Sequence, residues 1–280
     1  MTDPAAALHG VRITVAYDGG GFAGFAAQRG QRTVQGVLVE AAERVCRHPV
    51  AVRGTSRTDS GVHALGQVAA FASTRALVPE RWALALNRYL PEDVAIRDAA
   101  PCPPDYDPRF DARDKTYRYL FHLGHARDPL LRDRAWHVGN QLRRLSRGLH
   151  GEALVDLAAM REACAVLSGT HDFRAFRAAA DTRENTLRTL RLTLTETYAN
   201  DPALLAFEVQ GEAFMMNMVR ILAGTLIEVG RGRLTPAQVA ALLAPGGDRR
   251  GAGMTAPPHG LTLVSVTLGR LRARASRSAP

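Results

Sequence analysis

Val11-Arg12-Ile13-Thr14-Val15-Ala16-Tyr17 alternates apolar and polar side chains and stops at Asp18-Gly19-Gly20, the signature of a strand running into a turn. Outward from it, Thr33 to Cys46 places Val34, Leu38, Ala41 and Val45 on one helical face. Strands are predicted at Val50 to Thr55 and Gln67 to Ala72, joined by a polar loop around Asp59. A helix from Pro79 to Tyr89, with proline in its first turn, and a strand from Val94 to Ala99 complete the order β-α-β-β-α-β.

Residues 101–112 (PCPPDYDPRFDA) hold four prolines and no periodicity, and they read as a linker. Beyond them the order repeats. Lys115 to His122 is a strand, Leu154 to Ser168 a helix, and Leu187 to Tyr198 and Ala203 to Gln210 two strands hinged at Asn200-Asp201-Pro202. A helix from Glu212 to Val229, a small helix from Pro236 to Leu243 and a strand from Leu261 to Leu268 follow. The expectation is an α+β protein of two tandem ferredoxin- or RRM-like units, 1–105 and 106–280, with their sheets joined across a central active-site cleft. The basic tail after Gly269 is expected to be frayed.

With 46% hydrophobic and 22% charged residues the chain is globular, and no stretch approaches the ~20 apolar residues of a membrane span. A cytoplasmic protein with no membrane partner is expected. Cys46, Cys102 and Cys164 lie far apart without C-x-x-C spacing, which argues against a zinc knuckle or a disulfide framework. His122 and His125 have no Cys or carboxylate cluster to complete a ligand set, so no metal is expected. A net charge of +9 points to a polyanionic partner, nucleic acid above all. Lys115 is the only lysine, and genome composition accounts for arginine over lysine but not for the excess of base over acid.

Gly19-x-Gly21-x-x-Gly24 matches a dinucleotide-binding loop in spacing only. No helix begins at its last glycine to meet a pyrophosphate, and a flexible loop at a cleft mouth is the better reading. Ser56-Arg57-Thr58-Asp59-Ser60-Gly61-Val62-His63-Ala64 carries one carboxylate beside an arginine that keeps it ionised and nucleophilic. A tight turn is the plainer explanation of that loop alone. Two features add to it. Tyr117 lies in Lys115-Thr116-Tyr117-Arg118-Tyr119, an alternating basic and aromatic strand suited to stacking a base between phosphate contacts. Asn217, Arg220 and Gly224 share one side of an apolar helix, where a guanidinium could pair with a buried carboxylate, Asp59 being the partner of choice.

In sequence order, Tyr17-Asp18-Gly19, Thr33-Val34-Gln35-Gly36, Arg57-Thr58-Asp59-x-Gly61-Val62-His63-Ala64, Tyr117-Arg118-Tyr119, Gly169-Thr170-His171-Asp172-Phe173, Met218-Val219-Arg220 and Ala256-Pro257-Pro258-x-Gly260-Leu261 resemble the blocks of the TruA family, the tRNA pseudouridine synthase A enzymes. The resemblance runs from about Val11 to Val266. It implies an isomerase that converts uridine to pseudouridine at positions 38, 39 and 40 of the tRNA anticodon stem-loop, as a homodimer without cofactor or metal. It also implies roles: Asp59 as catalytic aspartate, Tyr117 as the ring that stacks on the target base, Arg220 as the partner of the aspartate. Arg57, His63, Tyr117, Arg118 and Leu261 are the implied RNA contacts. The chain departs from the family at Ser56 and Ser60, at Gly24-Phe25-Ala26 and at Tyr106-Asp107-Pro108-Arg109, the last two in segments expected to shape the RNA cleft. The rival readings are an RNA-binding module or tRNA chaperone without chemistry, and a glycoside hydrolase. The hydrolase needs a second carboxylate ~5 to 9.5 Å from the first, and none lies near in sequence.

Overall fold

The alternating stretch that begins at Val11 is strand β1, His9–Tyr17, whose inward residues Val11, Ile13, Val15 and Tyr17 are all buried. The computed structural model describes residues 7–139 and 155–269. These fall into two units: Met1–Arg113 with Leu263–Pro280, and Asp114–Thr262. The architecture is mixed α+β, with mostly antiparallel strands and, among the described residues, six α-helices.

In the first unit β1 is followed by α1 (Val34–Cys46), β2 (Arg53–Gly54), β3 (His63–Ser73), α2 (Pro79–Asn87), β4 (Val94–Cys102) and α3 (Pro108–Asp111). Thr33 starts α1 by accepting the Gly36 amide, and Arg47 ends it in the left-handed region. Val34, Leu38, Ala41 and Val45 form its buried face as the spacing requires. Asn87 fastens α2 to the sheet through two hydrogen bonds with the Ile96 backbone, 2.7 and 2.9 Å. The strand order is β4-β1-β3, with β2 and the last strand, β10 (Leu261–Leu268), both on the far side of β3. The Val264 carbonyl comes so near Gly66 that a Cβ there would lie 2.5 Å from it.

The second unit runs β5 (Ala112–His122), β6 (Trp136–His137), α4 (Leu157–Leu167), β7 (Gly169–Asp172), β8 (Leu187–Thr195), β9 (Leu204–Gly211), α5 (Met218–Gly230) and α6 (Pro236–Ala241). Its sheet is ordered β5-β9-β8-β7, and β6 pairs in parallel with β5. Helix α4, capped by Asp156, packs on α5, α6 and β8.

Four expectations need correction. The proline-rich 101–112 is not a linker: Pro101 belongs to β4, an edge strand where a missing amide costs no sheet bond, and Tyr106 is buried with its hydroxyl on Asp111. The final strand, read as closing the second unit, lies mostly in the first. The strand expected from Val50 pairs only at Arg53–Gly54. The helix expected from Glu212 begins at Met218, because Asn217 turns into the left-handed region at φ 58°. The tail from residue 270 lies outside the described residues.

Candidate active site

The loop after β2 is held from the inside at alternate residues. The Gln67 side chain, fully buried, donates to the Ser56 carbonyl (2.7 Å) and accepts the amides of Ser56 (3.4 Å) and Val68 (3.2 Å). Buried Thr58 shares a 2.8 Å hydrogen bond with the Tyr17 hydroxyl, and its carbonyl accepts the Phe25 amide at 3.1 Å. Arg57 and Asp59, one on each side of Thr58, are therefore exposed. Gly61, at φ 77°, turns the chain so that the Val62 amide reaches the Asp59 carbonyl at 3.2 Å.

Behind this loop stands the glycine segment. Gly19 lies against the Val62 carbonyl so closely that no side chain fits, and Gly24, at φ 102°, passes under Thr58. Phe22 and Phe25 are buried. The segment expected to be a flexible mouth loop is thus a packed buttress. It includes only one short 3-10 turn, at Gly19–Gly21, and α1 starts well after it. His63, an expected RNA contact, is 2% exposed, and its Nδ1 accepts the Gly19 amide at 3.1 Å. Asp18 Oδ1 is also 3.1 Å from that nitrogen, yet it already accepts the Gly20 amide, and one ring nitrogen cannot both accept and donate. His63 clamps the buttress to the loop.

Gln67→Leu keeps the volume but removes four hydrogen bonds, to the Ser56 backbone, the Val68 amide and the Tyr17 hydroxyl. The expected result is a loss of about 1–3 kcal/mol of stability in urea unfolding, with a lowered kcat and an unchanged KM for RNA.

In the second unit Tyr117 and Tyr119 project from one face of β5 and are both buried. Tyr117 meets Phe214 edge-on, with centroids 5.1 Å apart at 80°. Tyr119 donates to the Pro257 carbonyl at 2.8 Å; burial raises its pKa, with the charge of Arg220 opposing. Arg220, in the first turn of α5, donates through Nε to the Ala256 carbonyl (2.7 Å) and through Nη1 to Asn217 (2.9 Å). Gly224, one turn on, permits this, because a Cβ there would collide with the Met254 carbonyl. The Gly253 amide completes the contact on Thr225, 2.9 Å. Leu261 is buried directly after Gly260, which lies on the Tyr119 ring.

A profile described as tRNA pseudouridine synthase matches residues 13–111 and 163–267. A tRNA pseudouridine synthase A of Geobacter sulfurreducens is 41% identical over 91% of this chain and 98% of its own length. Those of Pelobacter propionicus and Ruminiclostridium cellulolyticum are 41% and 36% identical over 92% and 91% of the chain, and each is covered over 98% of its length. The chain belongs to the tRNA pseudouridine synthase family. It is an enzyme, an isomerase of tRNA uridine.

Within this tRNA pseudouridine synthase, Arg57, Asp59 and His63 belong to the first unit and Tyr117, Arg118, Arg220 and Leu261 to the second. Arg118 faces away from Tyr117. It pairs with Glu208, its cross-strand neighbour on β9, at 2.6 Å, and stacks over Tyr198. Its guanidinium is engaged within the sheet. The departures at Phe25 and Tyr106 are core residues: Phe25 lies on Gly54, and the Tyr106 carbonyl accepts Arg53 at 3.0 Å. Their side chains shape the first unit from within. Among the described residues no group of three His, Cys, Asp or Glu is placed to hold a metal ion. The cysteines are thiols, and burial pushes Cys102 up to about 11 and Cys164 to about 12, which keeps both protonated and unreactive.

Sequence reasoning missed Gln67, Phe214 and Asp181. Asp181 is buried and accepts the Met216 amide at 2.8 Å, fixing the turn that carries Phe214. Burial alone would raise its pKa, but the Met216 and Arg183 amides and the charge of Arg183 bring it below the usual carboxylate range. Its only sequence signal is an acid spaced two residues before Arg183, too common to single out.

Proposed function

We propose that the enzyme isomerises uridines 38, 39 and 40 of the tRNA anticodon stem-loop, with Asp59 as nucleophile and without cofactor. The observation that carries this reading is the alternation at residues 56–59, where Gln67 holds the Ser56 backbone, Tyr17 holds the Thr58 side chain, and Arg57 and Asp59 are left outward. A carboxylate on a fixed backbone attacks without first losing the entropy of a mobile loop.

The reaction breaks the bond between N1 and the ribose C1′, turns the uracil and joins C5 to C1′. The proton on C5 leaves and N1 gains one, so the change is an isomerisation. The target must first leave its stack, at a cost of a few kcal/mol that phosphate contacts and stacking on Tyr117 offset. In this reading Arg57 holds the extruded nucleotide and Arg220 keeps Asp59 ionised. A homodimer of tandem ferredoxin-like units, acting in the cytoplasm, completes the proposal. Among the described residues no helix is long and apolar enough to cross a membrane.

Mapping pseudouridine in an unmodified tRNA transcript after incubation with the purified protein tests this. The expected product carries pseudouridine at 38, 39 or 40 and nowhere else. Modification confined to another arm would refute the site, release of free uracil would favour a hydrolase, and stoichiometric binding without product would favour a chaperone.

A further inference from the structure

The end of β5 and the chain around β6 enclose a cavity of about 530 Å³ within the second unit, a size typical of small-ligand sites. Its walls include His122, Arg127, Arg132, Trp136, His137 and His259. His122 is the residue the fold does not account for. It is 6% exposed, its Nε2–Cε1 edge lies over Gly124, and among the described residues its Nδ1 has no hydrogen-bond partner. Leaving such an atom unpaired is destabilising, a loss that a ligand with a complementary edge would recover. His137 does not supply it: its Nε2 is 2.8 Å from the Gly124 carbonyl, and the two rings lie 5.0 Å apart at 47°. Burial, reinforced by His137, holds His122 below the usual imidazole range against the pull of Asp201 and Asp128. The ring is therefore neutral at pH 7 and can meet either a donor or an acceptor.

The charges around it select the ligand. Arg127 and Arg132 are exposed on this wall, and Asp128, the one acid of the lining, already accepts the Leu130 amide at 2.8 Å. Arg132 also pairs with Asp133 across open solvent, a weak bond that a phosphate can displace. A neutral imidazole edge, an indole wall and a cationic margin match the edge, plane and phosphate of a nucleotide. We propose that the cavity is a nucleotide subsite, which takes one unpaired nucleotide of the RNA at a place separate from the reacting uridine. The inference rests on the family's tRNA substrate and not on the role given to Asp59. Pro257 joins the lining to the segment whose Ala256 carbonyl orients Arg220, so an occupied cavity braces that segment.

The test is imidazole nitrogen NMR of the whole protein titrated with uridine 5′-monophosphate. The expected result is a saturable shift of the His122 Nδ1 resonance, weakened about fivefold in Arg127→Ala and unaltered in Asp59→Asn. In His122→Phe, equilibrium dialysis should show a comparable loss of affinity. Absence of a saturable shift would overturn the proposal. So would an equal response to inorganic phosphate, which marks an anion site only. A changed oligomeric state in His122→Phe with unchanged nucleotide affinity would also overturn it, by showing that a second copy fills the cavity.

Discussion

Asp59→Asn is expected to reduce tritium release from 5-tritiated uridine in tRNA to background, a loss of about a thousandfold or more, while tRNA binding changes less than twofold. The asymmetry follows from where the residue sits. Its side chain is exposed, so the amide replaces the carboxylate at no packing cost, and Ser56, Thr58 and Gly61 hold the backbone on either side. Substrate affinity comes mainly from phosphate contacts, which one outward carboxylate does not supply. A variant that binds normally and still turns over would remove Asp59 from the chemistry. One that neither binds nor turns over would make it a recognition residue.

Gly224→Ala is expected to be the most damaging small substitution in the second unit. The added methyl falls on the Met254 carbonyl, and the Gly253 backbone lies against Gly224 as well, so neither side has a flexible side chain that could yield. Overpacking of this kind costs about 1–3 kcal/mol or more, and a Tm lower by about 5 to 10 °C is expected from calorimetry. The chemical effect should exceed the loss of fold. Moving residues 253–256 withdraws the Ala256 carbonyl from Arg220 Nε, so the folded variant should show a reduced kcat below its melting range. A normal kcat in a destabilised protein would mean that Arg220 does not need this acceptor.

Much of the fold was legible in the sequence because most of its elements bury one face. β1, α1, β5 and β9 declare themselves by period, and Thr33 and Pro79 mark helix starts with the right chemistry. β6 and β7 have two and four residues, too few to show a period. Residues 101–112 misled because prolines punctuate a sequence whether or not the chain packs, and nothing local reveals that Tyr106 is buried against Asp111. The apolar pattern continues from Phe214 into α5, so the break at Asn217 is a matter of backbone conformation and not of composition.

At the candidate site, the exposed pair Arg57 and Asp59 could be found from their motif, as could Arg220 from its helix face. The supports could not. Gln67 in β3 and the Gly19–Gly24 segment act through side chains and carbonyls that meet only after folding, and His63 and Arg118, which look like ligand contacts in sequence, have their polar groups engaged by Gly19 and Glu208. A polar residue in a motif declares that it is used, not what uses it.

The position of β10 governs how the protein can be made. The strand that lies beside β3 leaves the ribosome only after the whole of Asp114–Thr262 has been synthesised. Until then residues 53–56 engage that edge of β3 between Gln67 and Ala70, and the part that β10 will cover is open to mispairing with other nascent chains. A stop codon anywhere before residue 261 therefore strikes the unit that bears Asp59, two hundred residues upstream. In this chain the unit begun first is completed only after the second has been made.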